Sequence, residues 1–207
     1  MKKIAIIDFE GGNLFSVIQA CKAINLDVSI TSDYDKILNS DGLILPGVGS
    51  YPHAMKILNE KGLVKPIKDF IDCDKPFMGI CLGFQLLFSK SEEFENCKGL
   101  NIIKGSVKKF NFKDNKIKVP QIGWNKIYND KNWNNSSLKE IKQGEYMYFV
   151  HSYYVESNPV NTLFYSKFSD AQFTSSIIHE NILGFQFHPE KSGQIGQKLY
   201  QEICLYN

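Results

Sequence analysis

The most constraining feature of this 207-residue chain is a cysteine between two glycines, Gly-Ile-Cys-Leu-Gly, at residues 79–83. The apolar residues 76–78 precede it, so the pattern predicts a buried strand that gives way to a helix at Cys81. We expect the flanking glycines to allow this sharp turn without a steric clash of a Cβ atom. The first N–H groups of the helix would favour a thiolate and stabilise a nearby oxyanion. The motif predicts a nucleophilic Cys81; the alternative is a buried structural cysteine in a tight turn.

The first half of the chain alternates predicted strands with predicted helices. Apolar runs predict strands over residues 3–8, 28–31, 42–45 and 76–80, and helices over residues 14–24, 62–71 and 82–88. From about residue 100 the chain contains short β-type runs joined by polar turns, and a last helix is predicted over residues 195–205. We therefore expect residues 1–207 to form one α/β domain. It would have a doubly wound, mostly parallel central sheet with helices on both faces, and an antiparallel extension in its second half.

A second motif lies near the C-terminus, where an apolar, aromatic run ends in His188-Pro189-Glu190. In an extended segment the side chains of His188 and Glu190 would lie on the same side. A carboxylate beside an imidazole fixes its tautomer and stabilises the imidazolium formed during proton transfer. The sequence thus predicts a Cys81–His188–Glu190 triad. His151 is an alternative base, and the carboxylate adjoining His188 favours His188.

Composition excludes several classes of function. The chain has 24 Lys and Arg against 22 Asp and Glu, a net charge of +2, which gives no indication of a nucleic-acid or anionic-membrane surface. Its five cysteines are odd in number and form no Cys-x-x-Cys pair, so neither a zinc site nor a thioredoxin-like motif is indicated. We expect no metal and no cofactor. Free thiols and the lack of an apolar run long enough to span a bilayer predict a cytoplasmic protein.

These motifs resemble those of the class I, or triad, glutamine amidotransferases. The resemblance is carried by residues 79–85 and residues 186–192. Three further segments, at residues 46–49, 120–125 and 148–153, narrow it to the HisH glutaminase subunits of imidazole glycerol phosphate synthase. The resemblance extends from Asp8 to the C-terminal helix, so it covers essentially the whole chain.

The resemblance implies glutamine hydrolysis. Cys81 would attack the side-chain amide of glutamine, His188 would transfer the proton to ammonia, and Glu190 would orient His188. The oxyanion hole would consist of the backbone N–H groups of Leu82 and Val48. Site residues that the family further implies are Gly47 and Gly49, which flank Val48, and Gln85, His151, Ser152 and Tyr153, which would line the glutamine pocket.

A glutaminase of this length has no room for an ammonia acceptor, so a second chain is implied. By resemblance that partner is a (β/α)8 barrel cyclase, HisF, in a heterodimer that makes imidazole glycerol phosphate and aminoimidazole carboxamide ribotide in histidine biosynthesis. Positions that match the family's interface with the cyclase are Asn13, Gln121, Trp124, Asn125 and Lys191. Trp124 would be either an exposed interface anchor or a buried core residue.

Two alternatives remain open at this level. Residues 8–13 and 120–125 depart from the commonest family sequences, which allows a HisH-like paralogue that supplies ammonia for amidino-sugars of surface polysaccharides. A non-catalytic interaction subunit is an alternative of another class. It would be expected to have lost Cys81, His188 or Glu190, and all three are present.

Overall fold

The computed structural model describes residues 1–94, 97–114, 116–129, 138, 141–157 and 161–205. The helices are α1 (Leu14–Ala23), α2 (Tyr34–Leu38), α3 (Tyr51–Glu60), α4 (Val64–Asp72), α5 (Leu82–Leu86) and α6 (Gly193–Leu205). The strands are β1 (Lys3–Ile7), β2 (Asp27–Thr31), β3 (Gly42–Leu45), β4 (Phe77–Ile80), β5 (Phe88–Ser91), β6 (Cys97–Lys98), β7 (Ile103–Lys109), β8 (Gln121–Lys126), β9 (Tyr146–His151), β10 (Tyr153–Ser157), β11 (Thr162–Phe168), β12 (Ala171–His179) and β13 (Ile182–Phe185). None of the helices in these ranges is long and apolar enough to cross a bilayer.

A large central sheet has the strand order β2-β1-β3-β4-β13-β12-β10-β7-β5-β6, with β11 paired to β12. The strands from β2 to β13 in this order run parallel to one another, whereas β12, β10 and β7 continue the sheet by antiparallel pairing. Helices connect β1, β2, β3 and β4, whereas short turns connect β11, β12 and β13, as parallel and antiparallel pairing require. The expected α/β fold with an antiparallel extension is confirmed.

Alternate residues of the parallel strands enter two separate apolar cores, one on each face of the sheet. Ala5 and Leu43 belong to the core that also contains residues of α3, α4 and α5. Ile4 and Ile44, their neighbours in sequence, belong to the core that contains residues of α1 and α6. Burial on both faces explains why these strands are continuous apolar runs.

One of the predicted helices differs from the structure at its C-terminal end. The helix predicted over residues 82–88 ends at Leu86, because Phe88 begins β5, which pairs in parallel with β7. A short apolar run fits either a helix or a strand, and here the tertiary pairing decides. Helix α4 contains Pro66 in its first turn, where a missing N–H costs no intrahelical hydrogen bond.

Strands β8 and β9 form a separate two-stranded antiparallel sheet beside the carboxyl ends of the parallel strands. Gln121 pairs with His151, and Trp124 pairs with Tyr148. The backbone N–H of His188 donates to the carbonyl of Tyr148 at 2.9 Å, which ties this ribbon to the end of β13. The ribbon thereby forms one wall over the carboxyl edge of the sheet, where ligands bind in folds of this type.

Candidate active site

Cys81 lies at the junction between β4 and α5, as the sequence predicts. Its backbone has φ 54° and ψ −109°, a conformation that residues with a side chain rarely adopt. Two backbone hydrogen bonds hold it, from its N–H to the Phe185 carbonyl at 2.7 Å and from the Gln85 N–H to its own carbonyl at 3.1 Å. Such strained turns expose a nucleophile above a sheet.

The flanking glycines avoid steric clashes of a Cβ atom at this turn, as expected. Neither has a positive φ; the left-handed conformation belongs to Cys81 itself. A Cβ at Gly83 would lie 1.8 Å from the carbonyl oxygen of Leu45, and one at Gly79 would lie 2.9 Å from the Cα of Phe84. Glycine is therefore required because α5 packs directly on the backbone of the sheet, and this packing fixes the height of Cys81.

His188 and Glu190 are in contact, with 2.7 Å between Nδ1 of the imidazole and Oε1 of the carboxylate. Their side chains are 3% and 2% exposed. The expected reason is wrong, however, since β13 ends at Phe185 and residues Pro189–Lys191 form a 3-10 turn. Proline fixes the first φ of this turn, and the turn rather than an extended strand brings the carboxylate to the imidazole.

The Cys81 thiol lies beside the His188 ring, which it contacts electrostatically. The second ring nitrogen of His188, Nε2, is buried and has no hydrogen-bond partner among the described residues. Burial opposes a charge on His188. The negative charges of Cys81 and Glu190 outweigh burial and raise the pKa of His188 to about 10. The geometry therefore favours a protonated His188 that lies between the Cys81 sulfur on one side and the Glu190 carboxyl group on the other.

Gln186, which sequence reasoning missed, is fully buried next to the thiol. Its Nε2 donates toward the Cys81 sulfur at 3.9 Å, and its Oε1 accepts from Gln85 Nε2 at 2.9 Å. The same Gln85 nitrogen donates to the Tyr153 carbonyl at 2.9 Å. Both amide hydrogens of Gln85 are thus used, which leaves its carbonyl oxygen for a ligand. The only sequence signal for Gln186 is a polar residue within an apolar strand run.

His151 ends β9 and is buried among the rings of Phe110, Phe149 and Phe173. Its Nδ1–H donates to the Tyr153 carbonyl at 2.8 Å. Burial lowers the pKa of His151 to about 4. His151 is therefore a neutral imidazole. Among the residues that the structure describes, only His188 of the two candidate bases has a carboxylate partner.

A cavity of about 330 Å³ opens above Cys81. Most of the residues predicted for catalysis, the oxyanion hole and substrate binding line this cavity. Of the predicted pair Gly47 and Gly49, only Gly49 lines it. The lining residues are Val48, Gly49, Cys81, Leu82, Gln85, Glu93, Pro120, Val150, His151, Ser152 and Tyr153. Glu93, which was not predicted, is the one charged side chain in this lining. Its Oε2 also accepts from the Tyr51 N–H at 2.8 Å, which caps α3.

Both predicted oxyanion donors are engaged in backbone hydrogen bonds. The Leu82 N–H donates to the Gly47 carbonyl at 3.3 Å, and the Val48 N–H donates to the Gly11 carbonyl at 3.4 Å. Gly49 has φ +103°, a conformation that L side chains rarely adopt. The turn is thus in place beside Cys81, and its N–H groups are directed to protein acceptors.

The residues predicted for the partner interface fall into two groups. Trp124 is 57% exposed, which favours the exposed alternative, and its ring packs edge-on against Tyr148. The exposed Lys191 places its Nζ 5.4 Å from the centre of the same Tyr148 ring. Gln121, in contrast, is only 5% exposed and cannot contact a partner in this conformation.

Two asparagines of the same set have local structural roles. The Asn13 side chain accepts from the Ser16 N–H at 3.3 Å and caps α1, and Asn125 Nδ2 donates to the Lys167 carbonyl at 2.8 Å. Within the described ranges no cluster of three or more His, Cys, Asp or Glu side chains could hold a metal ion.

Comparisons with known proteins identify the family of this chain. The family model for glutamine amidotransferase class-I matches residues 5–206. The HisH subunit of imidazole glycerol phosphate synthase from Caldanaerobacter subterraneus subsp. tengcongensis is 46% identical over 200 residues, covering 97% of this chain and 96% of that protein. The same subunit from Bacillus mycoides (strain KBAB4) is 43% identical, covering 97% and 93%. PurLQS from Thermotoga maritima matches in fold with a TM-score of 0.75 at 20% identity, covering 100% of this chain and 99% of that chain. This chain belongs to the class-I glutamine amidotransferase family, in the branch of the HisH subunits of imidazole glycerol phosphate synthase.

Proposed function

We propose that this chain is the glutaminase subunit of an imidazole glycerol phosphate synthase in histidine biosynthesis. It hydrolyses glutamine at Cys81 and passes the ammonia to a (β/α)8 cyclase subunit in a heterodimer. The observation that carries this proposal is the position of the Cys81 thiol, at the floor of a cavity and next to the buried His188–Glu190 pair. Cys21, Cys73, Cys81 and Cys97 are free thiols, as suits a cytoplasmic enzyme.

The reaction proceeds in two stages. The Cys81 thiolate attacks the side-chain carbonyl carbon of glutamine, and the carbonyl oxygen takes up the electron pair as an oxyanion. When the oxyanion collapses, the carbon–nitrogen bond breaks, and His188 delivers its Nε2 proton to the leaving nitrogen as ammonia departs. His188 then removes a proton from water, which attacks the thioester and releases glutamate and Cys81. Glu190 holds the imidazole throughout by its contact with Nδ1.

The cavity matches glutamine in polarity as well as position. Glu93 supplies the negative charge that the α-ammonium group of an amino acid requires. Gln85 offers its remaining carbonyl oxygen to an N–H donor of the substrate, since both of its own hydrogens are donated within the protein. Gly49, Ser152 and Tyr153 also line the cavity, and Gly47 lies just before Val48 in the adjoining turn.

The oxyanion must be bound by N–H donors that are not used elsewhere. The Leu82 and Val48 N–H groups serve only after they leave the carbonyls of Gly47 and Gly11, at 3.3 and 3.4 Å. We therefore propose that the structure represents a resting conformation, with the nucleophile and base assembled and the oxyanion hole still to be formed.

The cyclase partner is required by the chemistry of ammonia. At neutral pH free ammonia is mostly protonated and no longer a nucleophile, so it must reach its acceptor before release to solvent. Trp124 and Lys191, which flank Tyr148, form an exposed surface next to His188 and are our candidates for the docking face. Asn13 and Asn125 lie at further family interface positions. The relatives named as HisH subunits support this choice of partner.

The test uses the chain mixed with the cyclase subunit of the same organism. Cys81→Ala should abolish turnover with glutamine and leave turnover with added ammonium salt intact. The matched control is Cys73→Ala, because Cys73 is an exposed cysteine outside the cavity. Glutamine-dependent turnover by the Cys81 variant would refute the nucleophile, and no stimulation of the wild-type chain by the cyclase would refute the partner.

A further inference from the structure

The 3-10 turn that contains Glu190 packs against the last helix, α6. Gly196 of α6 touches this turn so closely that a Cβ atom there would lie 1.9 Å from the Pro189 carbonyl oxygen. The Gly196 N–H also donates to the Ser192 carbonyl at 3.2 Å. One face of α6 is therefore fixed against the segment that presents the acidic member of the triad.

Tyr200 lies four residues after Gly196, on the same face of α6 and one turn along it. Side chains of a helix lean toward its N-terminus, so the ring of Tyr200 covers the turn near Gly196. Tyr200 is fully buried. In the part of the chain that the structure describes, its hydroxyl has no hydrogen-bond partner. A buried hydroxyl without a partner lowers stability, so a nearby acceptor would stabilise the folded chain.

Glu190 has a complementary unsatisfied atom. Its Oε1 accepts from His188, while Oε2 is buried and has no partner in the same part of the chain. Burial, together with the neighbouring Glu190 carboxylate, raises the pKa of the Tyr200 phenol well above its usual range. Tyr200 is thus a buried, protonated donor near Glu190, whose Oε2 has no donor of its own in the described structure.

We propose that Tyr200 is a positioning residue of the triad, whose hydroxyl donates to Glu190 Oε2 and thereby keeps Oε1 on His188 Nδ1. The proposal rests on the proposed glutaminase function and adds a fourth member, supplied by α6, to the Cys81–His188–Glu190 series. Tyr200 does not line the cavity above Cys81, so its effect on the reaction would pass through Glu190 and His188. Sequence reasoning could not single it out, because a tyrosine in the last amphipathic helix fits a core position equally well.

Tyr200→Phe tests the proposal, because it removes only the hydroxyl from a ring whose volume is retained. A Glu190 that has lost this donor can turn away from His188, which weakens the imidazolium and with it the thiolate of Cys81. In the complex with the cyclase, we expect kcat for glutamine to fall about tenfold, with KM for glutamine and turnover with ammonium salt unchanged. The pH at which Cys81 is half-maximally alkylated by iodoacetamide should move upward in the variant.

The matched control is Ile203→Val, which perturbs the same buried face of α6 without removing a polar group. It should lower the melting temperature and leave the alkylation profile in place. An unshifted profile in Tyr200→Phe, or an equal shift in Ile203→Val, would overturn the proposal. A wild-type chain whose Cys81 is not alkylated at all would instead refute the proposed function.

A second measurement uses folded protein without altering Tyr200. The Tyr200 hydroxyl proton should appear in the NMR spectrum of the wild-type chain as a slowly exchanging, downfield resonance, since it is buried and bonded to a carboxylate. Glu190→Gln replaces this carboxylate by a neutral amide and should shift the resonance upfield. A tyrosine hydroxyl resonance that is the same in both proteins would overturn the proposal.

Discussion

Replacement of His151 by phenylalanine should remove a defined, pH-dependent part of the free energy of unfolding. Burial holds the pKa of His151 at about 4, against 6.5 for an ordinary histidine. Because the unfolded chain binds the proton more tightly, stability due to neutral His151 is complete above pH 6.5 and is lost as pH falls toward 4. With these two values, protonation of the unfolded state costs about 0.2 kcal/mol of stability at pH 7 and about 2.0 kcal/mol at pH 5. The wild-type chain should therefore lose about 1.8 kcal/mol more than His151→Phe between these pH values.

The measurement is urea unfolding of both proteins at pH 7, 6 and 5, with the difference in free energy of unfolding taken at each pH. Other titrating groups cancel in this difference, and the phenyl ring fits the cluster formed by Phe110, Phe149 and Phe173. His53→Gln, at an exposed histidine, should leave the difference independent of pH. If His151→Phe and the wild type lost stability in parallel, His151 would not be a buried neutral imidazole. It would then return as a candidate base.

Three further outcomes follow from the site. Glu93→Gln should raise KM for glutamine about tenfold with a smaller change in kcat, because it removes the charge opposite the substrate ammonium; a KM within twofold of wild type would contradict this. Gly83→Ala should lower the free energy of unfolding by about 3 kcal/mol or more, measured as a lower melting temperature, because its Cβ would lie 1.8 Å from the Leu45 carbonyl oxygen. The control Gly12→Ala should leave the melting temperature unchanged, because the nearest neighbour of its Cβ would be 3.5 Å away. The isolated chain should be alkylated at Cys81 by a glutamine-analogue electrophile yet hydrolyse glutamine slowly, and fast turnover without the cyclase would refute a resting oxyanion turn.

The parallel half of the fold could be predicted because its signals are local. Strands β1, β3 and β4 are apolar on both faces, and the helices between them have the corresponding periodicity. Strands β5 and β6 were not predicted, since the run from Leu86 to Phe88 fits a helix as well as a strand. The pairing of β5 with β7 is a long-range contact, which no local sequence pattern predicts. Helices α2 and α3 were missed for a related reason, as short amphipathic segments between polar residues.

The candidate site was predictable where residue chemistry and spacing coincide. Cys81 between glycines and His188 next to Glu190 are each a short motif, and the structure places all three together. Gln186 and Glu93 were missed because their contribution depends on tertiary contacts with the thiol and the cavity. Even the correct pairing of His188 with Glu190 was expected from a strand and is achieved by a 3-10 turn. The motifs therefore predicted which side chains come together, but not the local backbone conformation that brings them together.

The oxyanion turn shows why the last step lies beyond any motif. The Gly47 carbonyl and the Val48 N–H belong to one peptide unit, and each end is hydrogen-bonded, to the Leu82 N–H at 3.3 Å and to the Gly11 carbonyl at 3.4 Å. Rotation of this single unit would break both bonds at once, turn the Val48 N–H away from Gly11 and release the Leu82 N–H. Two such bonds contribute about 2 kcal/mol, which leaves the rotated state only a few per cent populated. One oxyanion donor typically contributes a factor of about 100 to 1,000 to kcat. A partner that favours the rotated state by a few kcal/mol would therefore raise glutamine turnover without contacting Cys81. We therefore expect reactivity of the thiol and turnover of glutamine to be separable properties of this chain.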